Sequence, residues 1–159
     1  MTLGTVDEYR LQAAVIQQQL RAVGIELDVR SLEFATLFDD VVKGNFQIVQ
    51  MQWTSGALVD PDIIRRVFHS RQVPPVGFNR GHYANPEVDR LIDLASAATD
   101  EALRKDYYGQ AQRLIAEDAP YISLWNRTNV IVAQPRVTGL HINAVGSFEA
   151  LKDVRKGAW

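Results

Sequence analysis

Phe46-Gln47-Ile48-Val49-Gln50-Met51-Gln52-Trp53-Thr54-Ser55-Gly56-Ala57-Leu58-Val59-Asp60-Pro61-Asp62 decides how this chain is read. Its first half lacks the clean apolar–polar alternation of a half-exposed strand, which suits a strand covered on both faces. It then runs into an aromatic, two hydroxyls and a glycine. At the carboxyl end of a parallel strand, Trp53, Thr54, Ser55 and Gly56 make a candidate ligand wall. The competing reading is a tryptophan filling the core beside an ordinary loop. Asp60 and Pro61 read as N-cap and first residue of a helix, where the missing proline N–H is harmless.

Outward from that run, the pattern is one of strands alternating with helices. Upstream, residues 3–6 form a short strand. A helix over residues 8–23 follows, capped by Asp7, with Leu11, Ala14, Val15 and Leu20 on one face and Gly24 as its stop. Residues 25–31 alternate strictly and predict a half-buried strand towards a sheet edge. A helix over 35–43 turns Leu37, Phe38, Val41 and Val42 inward. The order β-α-β-α-β with such connections fits a parallel sheet. Downstream, Ile63, Ile64, Val67 and Phe68 form the apolar face of the helix opened by Asp60-Pro61. Residues 70–84, with Pro74, Pro75, Gly77 and Gly81, predict a long surface loop of the kind that carries function. Asn85-Pro86 repeats the cap device, before Val88, Leu91, Ile92 and Ala95. Asp100 caps a further helix with Leu103, Tyr107, Ala111, Leu114 and Ile115 on one side. Residues 121–125, 129–133 and 137–142 read as strands.

Composition limits the function. The 159 residues suit one domain or one large lobe, and 47% hydrophobic content supplies a core. The net charge is -2, with Lys and Arg scattered, so no basic stripe points to nucleic acid. No run of about 18 apolar residues suggests a membrane span. Met1-Thr2-Leu3-Gly4 lacks the basic and apolar regions of an export signal. Without cysteine there is neither a disulfide nor a thiolate metal site.

Catalytic patterns are missing. There is no GxGxxG, Walker A, HExxH or GxSxG arrangement. His69, His82 and His141 are isolated and read as surface or cap residues, so no metal is expected. Asp39 and Asp40 point apart on a helix and read as a solvated face. No cofactor and no enzyme activity are expected.

From Tyr9 to Gly139 the chain resembles the second lobe of bacterial extracellular solute-binding proteins of family 5, the peptide/nickel class. The resemblance lies in ordered pieces. They are Leu11 to Leu20 running into Val23-Gly24-Ile25, Lys43-Gly44-Asn45-Phe46, Gln52-Trp53-Thr54 and Asp60-Pro61-Asp62. Phe78-Asn79-Arg80-Gly81-His82-Tyr83-Ala84-Asn85-Pro86-Glu87-Val88-Asp89-Arg90-Leu91-Ile92 follows. Then come Asp100 with Arg104 and Tyr108, Ala111 to Ile115, and Glu117-Asp118-Ala119-Pro120 leading to Leu124.

The resemblance implies an α/β fold: a mainly parallel sheet flanked by helices, one lobe of a type II periplasmic-binding-protein clamshell. Residues 1–159 are then a single solute-binding lobe, and residues 121–142 supply hinge-crossing strands. It implies a non-catalytic receptor lobe of an ABC importer for peptides or related small solutes. Its partners are the solute, an N-terminal lobe lying before Met1 and a membrane permease. The parent is expected in the periplasm, or anchored outside the cell, with no export signal in this piece. Trp53, Thr54, Ser55 and Gly56 then face the cleft. Peptide binders of this class often carry an acid soon after the Trp-Thr pair. Here no charge precedes Asp60, which points away from a simple free-amine peptide. The alternatives are a flavodoxin-like α/β enzyme and an interaction domain without a small ligand.

Overall fold

The computed structural model describes residues 1–53, 61–126, 128–143 and 146–157. The described residues fall into two compact units. One comprises Met1–Trp53 and Asp62–Pro120, and the other is formed mainly by residues from Tyr121 onward.

The first unit begins with β1 (Thr2–Gly4), α1 (Asp7–Ala22), β2 (Arg30–Leu32) and α2 (Phe34–Lys43). β1 pairs in parallel with β2, Leu3 opposite Ser31, and Thr2 forms a parallel bridge with Val49. β1 therefore lies between β2 and the chain around Val49, and its Leu3 is fully buried. The predicted alternation of strands and helices is present in outline, but the predicted sheet is not. Residues 25–29 make no ladder, and the predicted strand over 46–52 is reduced to the bridge at Val49. Gln50 N–H still reaches Thr2 O at 3.1 Å. A strand is completed by its neighbours, and among the described residues only β1 pairs with this run.

Two helix faces differ from expectation. In α1 the buried residue is Ala13, while Leu11 and Val15 are exposed. Half-buried Tyr9, Gln12, Ile16 and Leu20 share the Ala13 stripe. Gln12 turns inward because its amide oxygen accepts from the buried Gln50 side chain. Val6, not Asp7, is the N-cap. α2 buries Leu37 and Val41 as predicted, while Phe38 keeps 40% of its surface exposed. It ends at Gly44 with φ 76°, a left-handed turn that glycine adopts without steric penalty.

α3 (Asp62–Phe68) starts at Asp62 rather than at Pro61; Asp60 lies outside the described residues. α4 (Pro86–Ala97) and α5 (Glu101–Asp118) form the core of the unit. Asn85 caps α4, accepting from Glu87 N and Val88 N with Pro86 following, and Asp100 caps α5 through Leu103 N. Val88, Leu91 and Ile92 pack against Ala111 and Ile115, with Phe68 and Tyr83 in edge contact beside them. Each large side chain buried there contributes roughly 1.5–3 kcal/mol. On α5 the buried stripe is Tyr108, Ala111 and Ile115, and Leu103 is exposed. The turn of the helix carries Arg104 over the Tyr108 ring instead.

The end of α5 is tied to the start of α4. Asp118 accepts from Tyr83 OH at 2.5 Å and from Asn85 Nδ2 at 2.7 Å. A carboxylate at a helix C-terminus faces the negative end of the dipole. These two donors offset that, and they lower the Asp118 pKa, the Tyr83 hydroxyl being the larger cause. Burial, then the neighbouring Asp118, raises the Tyr83 pKa. A lowered carboxylate pKa gives stability that is present above the unfolded value, near about 4, and fades as pH falls through the folded value. The stability gap between the wild type and Tyr83→Phe is therefore expected to be constant at neutral pH and to narrow in acid. Urea melts at several pH values check this; a gap that widens in acid would contradict it.

In the second unit β3 (Val137–Thr138) pairs antiparallel with β4 (Arg155–Lys156), with a 3-10 helix (Phe148–Asp153) between them. The predicted strand over 137–142 is thus confined to two residues. The predicted strands over 121–125 and 129–133 form no ladder among the described residues. Ile122, Val130 and Val132 are exposed.

Candidate functional site

Aromatic and cationic side chains from four segments of the first unit meet around one arginine. α2 presents Phe38. The chain past the Val49 bridge presents Met51 and Trp53. α3 presents Arg66, and the loop over residues 70–84 presents Phe78 and Arg80. The Trp53 and Phe78 rings lie 5.5 Å apart at 45°. The Arg80 guanidinium lies 4.9 Å from the Trp53 centroid, 5.3 Å from Phe38 and 5.6 Å from Phe78. Its Nη1 is 3.0 Å from Met51 Sδ, and Arg66 covers Phe78 at 4.5 Å. All these ring distances fall inside the range of cation–π attraction.

The loop holds this arrangement because part of it packs inward: Gly77, Asn79 and Arg80 are buried, while Val76, Gly81 and His82 stay on the surface as predicted. Asn79 is fully buried. Its Nδ2 donates to Tyr83 O at 2.7 Å and His69 O at 3.3 Å, and its Oδ1 accepts from Tyr83 N at 2.9 Å. Phe78 N–H reaches Arg66 O and Asn79 N–H reaches Gln72 O, both at 2.8 Å. At Gly77 a Cβ would come within 2.5 Å of Gln72 O, so only glycine lets the two strands of the loop approach this closely. Ser70 fastens the loop's start to α4, its N–H and Oγ both bonding to Asp89.

His69 also departs from expectation. It is buried, with Nε2 3.3 Å from Asp93 Oδ1 and Nδ1 3.5 Å from Asp89 Oδ1. Nδ1 accepts from Arg71 N–H, and Nε2 faces Asp93. His82 and His141 are exposed, as predicted. Among the described residues no cluster of three or more His, Cys, Asp or Glu is arranged to hold a metal ion, and no helix is long and apolar enough to cross a membrane.

Of the predicted site residues, Trp53 sits in this cluster and keeps 36% of its surface accessible. Thr54, Ser55 and Gly56 lie outside the described residues. Phe38, Arg66, Phe78 and Arg80 were not predicted. The Phe78-x-Arg80 spacing was a usable signal, since alternate residues of an extended segment share a side. Tilted aromatic rings around a buried cation suit apolar contact with a ligand. Among the cluster's described residues there is no nucleophile or proton-transfer pair. The second unit has a separate cavity of about 240 Å³, lined by residues including Val130, Ile131, Ile142 and Phe148.

No family model matches the chain. It is 31% identical over 131 residues to the probable D,D-dipeptide-binding periplasmic protein DdpA of Escherichia coli, covering 82% of this chain and 25% of that protein. It is 30% identical over 129 residues to the oligopeptide-binding protein AppA of Bacillus subtilis, covering 80% of this chain and 23% of the relative. In structure it superposes on OppA of Burkholderia pseudomallei with a TM-score of 0.81 at 22% identity, over 99% of this chain and 30% of that one. The chain is homologous to a segment of the periplasmic peptide-binding proteins of ABC transporters. It spans about a quarter of the length of the curated relatives it matches.

Proposed function

We propose that this chain is one solute-binding lobe of a non-catalytic ABC-importer receptor for peptides or related small solutes. The observation that carries the reading is the match to a D,D-dipeptide-binding and an oligopeptide-binding protein at 30% identity or above. Those are binding proteins, not enzymes, which favours this reading over the flavodoxin-like enzyme and the interaction domain.

In this reading residues 1–159 are a single lobe of a clamshell, and its partners are an N-terminal lobe and a membrane permease. The parent works in the periplasm or anchored outside the cell. The mainly parallel sheet is completed by strands supplied elsewhere in the receptor, which accounts for a run over 46–52 that carries only one bridge. Residues 121–142 cross the hinge; the exposed Ile122, Val130 and Val132 support that, since unladdered apolar strands need a neighbour. Trp53, Thr54, Ser55 and Gly56 form the ligand wall. The partial exposure of Trp53 beside a packed cluster supports its part in it.

The test is Trp53→Ala in the receptor carrying both lobes, followed by calorimetric titration with tri- and tetrapeptides beside a urea melt. Affinity is expected to fall by about 1–3 kcal/mol, the range for one large apolar contact, and to fall more than stability does. A large stability loss with unchanged affinity would make Trp53 a core residue and nothing more.

A further inference from the structure

We infer that Arg80 is the positioning residue that sets the pose of the Trp53 indole, and with it the shape of the ligand wall; this rests on the reading of Trp53 as cleft-facing. Arg80 is only 9% exposed, an unusual state for a guanidinium. An apolar side chain of similar length would fill the same space without desolvating a charge, so packing alone does not account for an arginine here.

Its contacts do. One flat cation lies against three rings that come from three parts of the chain: Phe38, Trp53 and Phe78. It also touches Met51, two residues before Trp53, so it meets that segment at alternate positions on one side. The indole is thus backed by Arg80 and Phe78 while over a third of Trp53 stays open. Arg80 itself is held by its backbone, because the neighbouring Asn79 is locked by three hydrogen bonds. Lysine cannot substitute. Its ammonium is a compact, strongly hydrated point charge, costlier to bury among rings than the more weakly hydrated guanidinium.

The experiment uses the 159-residue chain with Trp125→Phe and Trp159→Phe, so that Trp53 is the sole indole. Arg80→Lys and Arg80→Met are compared with Arg80 by near-UV circular dichroism, acrylamide quenching and far-UV signal. With helix content unchanged, the indole band is expected to fall to about half or less and quenching to rise about two-fold in both variants, because neither keeps a weakly hydrated guanidinium among the rings. Phe38→Leu, at a position 40% exposed and outside the buried core cluster, removes one ring and should weaken the band partway. The same Arg80→Lys change in the two-lobed receptor is expected to weaken binding of the probe peptide Ala-Phe-Ala by at least about ten-fold. An indole band unchanged in Arg80→Lys overturns the inference, as does an unchanged band in Phe38→Leu should the Arg80 variants fail to fold. A collapsed band with unchanged Ala-Phe-Ala affinity overturns instead the cleft-facing placement of Trp53, and leaves Arg80 without a role in the wall.

Discussion

Titrated with tri- and tetrapeptides, the isolated 159-residue chain is expected to fold and yet to bind in the millimolar range or weaker, near about -4 kcal/mol. A clamshell receptor gains affinity by burying the ligand from both sides, and good sites cover about 70–90% of a small ligand. One lobe offers one wall. The ligand keeps much of its surface in water while still losing translational and rotational freedom on binding. The aromatic cluster around Trp53 fits this, since over a third of Trp53 remains open beside it. The receptor with both lobes, titrated beside the isolated chain, is expected to bind about a thousand-fold more tightly or better, a difference of roughly 4 kcal/mol. Sub-micromolar binding by the isolated chain would mean that the site is complete within these residues, and the single-lobe reading would be lost.

The helical part of this fold was legible because its signals are local. Asn85-Pro86 and Asp100 are caps whose chemistry is written within three residues of the helix start, and both act as caps in the structure. The apolar face of α4 is likewise a pure 3.6-residue pattern, and all four of its predicted residues are buried. The face of α1 was misread because its buried side includes Gln12. A polar residue turned inward to meet Gln50 breaks the apolar count, while Leu11 and Val15 outside mimic it. The sheet was legible only as alternation. Whether residues 46–52 or 121–133 become strands depends on partners that periodicity does not reveal.

The site divides in the same way. Trp53 stood out as an aromatic at the end of an apolar run, and it lies in the cluster. Arg80 did not stand out, because an arginine in a loop of glycines and prolines reads as solvated charge. What draws it inside is tertiary: rings on α2 and beside the Val49 bridge, and a loop folded inward by Asn79. The resemblance to solute-binding lobes came from the order of many weak pieces, and relatives at 30% and 31% identity are peptide-binding proteins of that kind.

A large stability loss is expected at Asn79. Its amide closes the loop on both sides: the oxygen takes the Tyr83 N–H, and the nitrogen serves the Tyr83 and His69 carbonyls. Asn79→Ala removes all three bonds and leaves a cavity where the fully buried side chain stood. Each abandoned backbone group loses its partner at about 1–3 kcal/mol when water cannot replace it. The loop can relax enough to rehydrate part of this, so a loss of about 3 kcal/mol is expected, a large share of the roughly 5–15 kcal/mol that holds a typical domain together. Asn79→Asp keeps the acceptor for Tyr83 N–H but offers neither donor and buries a charge, and it is expected to do no better. Both changes also reach the site, because Phe78 and Arg80 flank residue 79 and lose their fixed backbone with it. Urea melts give the stability, and the Trp53 indole band gives the site. A loss below about 1 kcal/mol with the band intact would show that Gln72 and Ser70 hold the loop without Asn79, in which case the amide is a passenger in its own network.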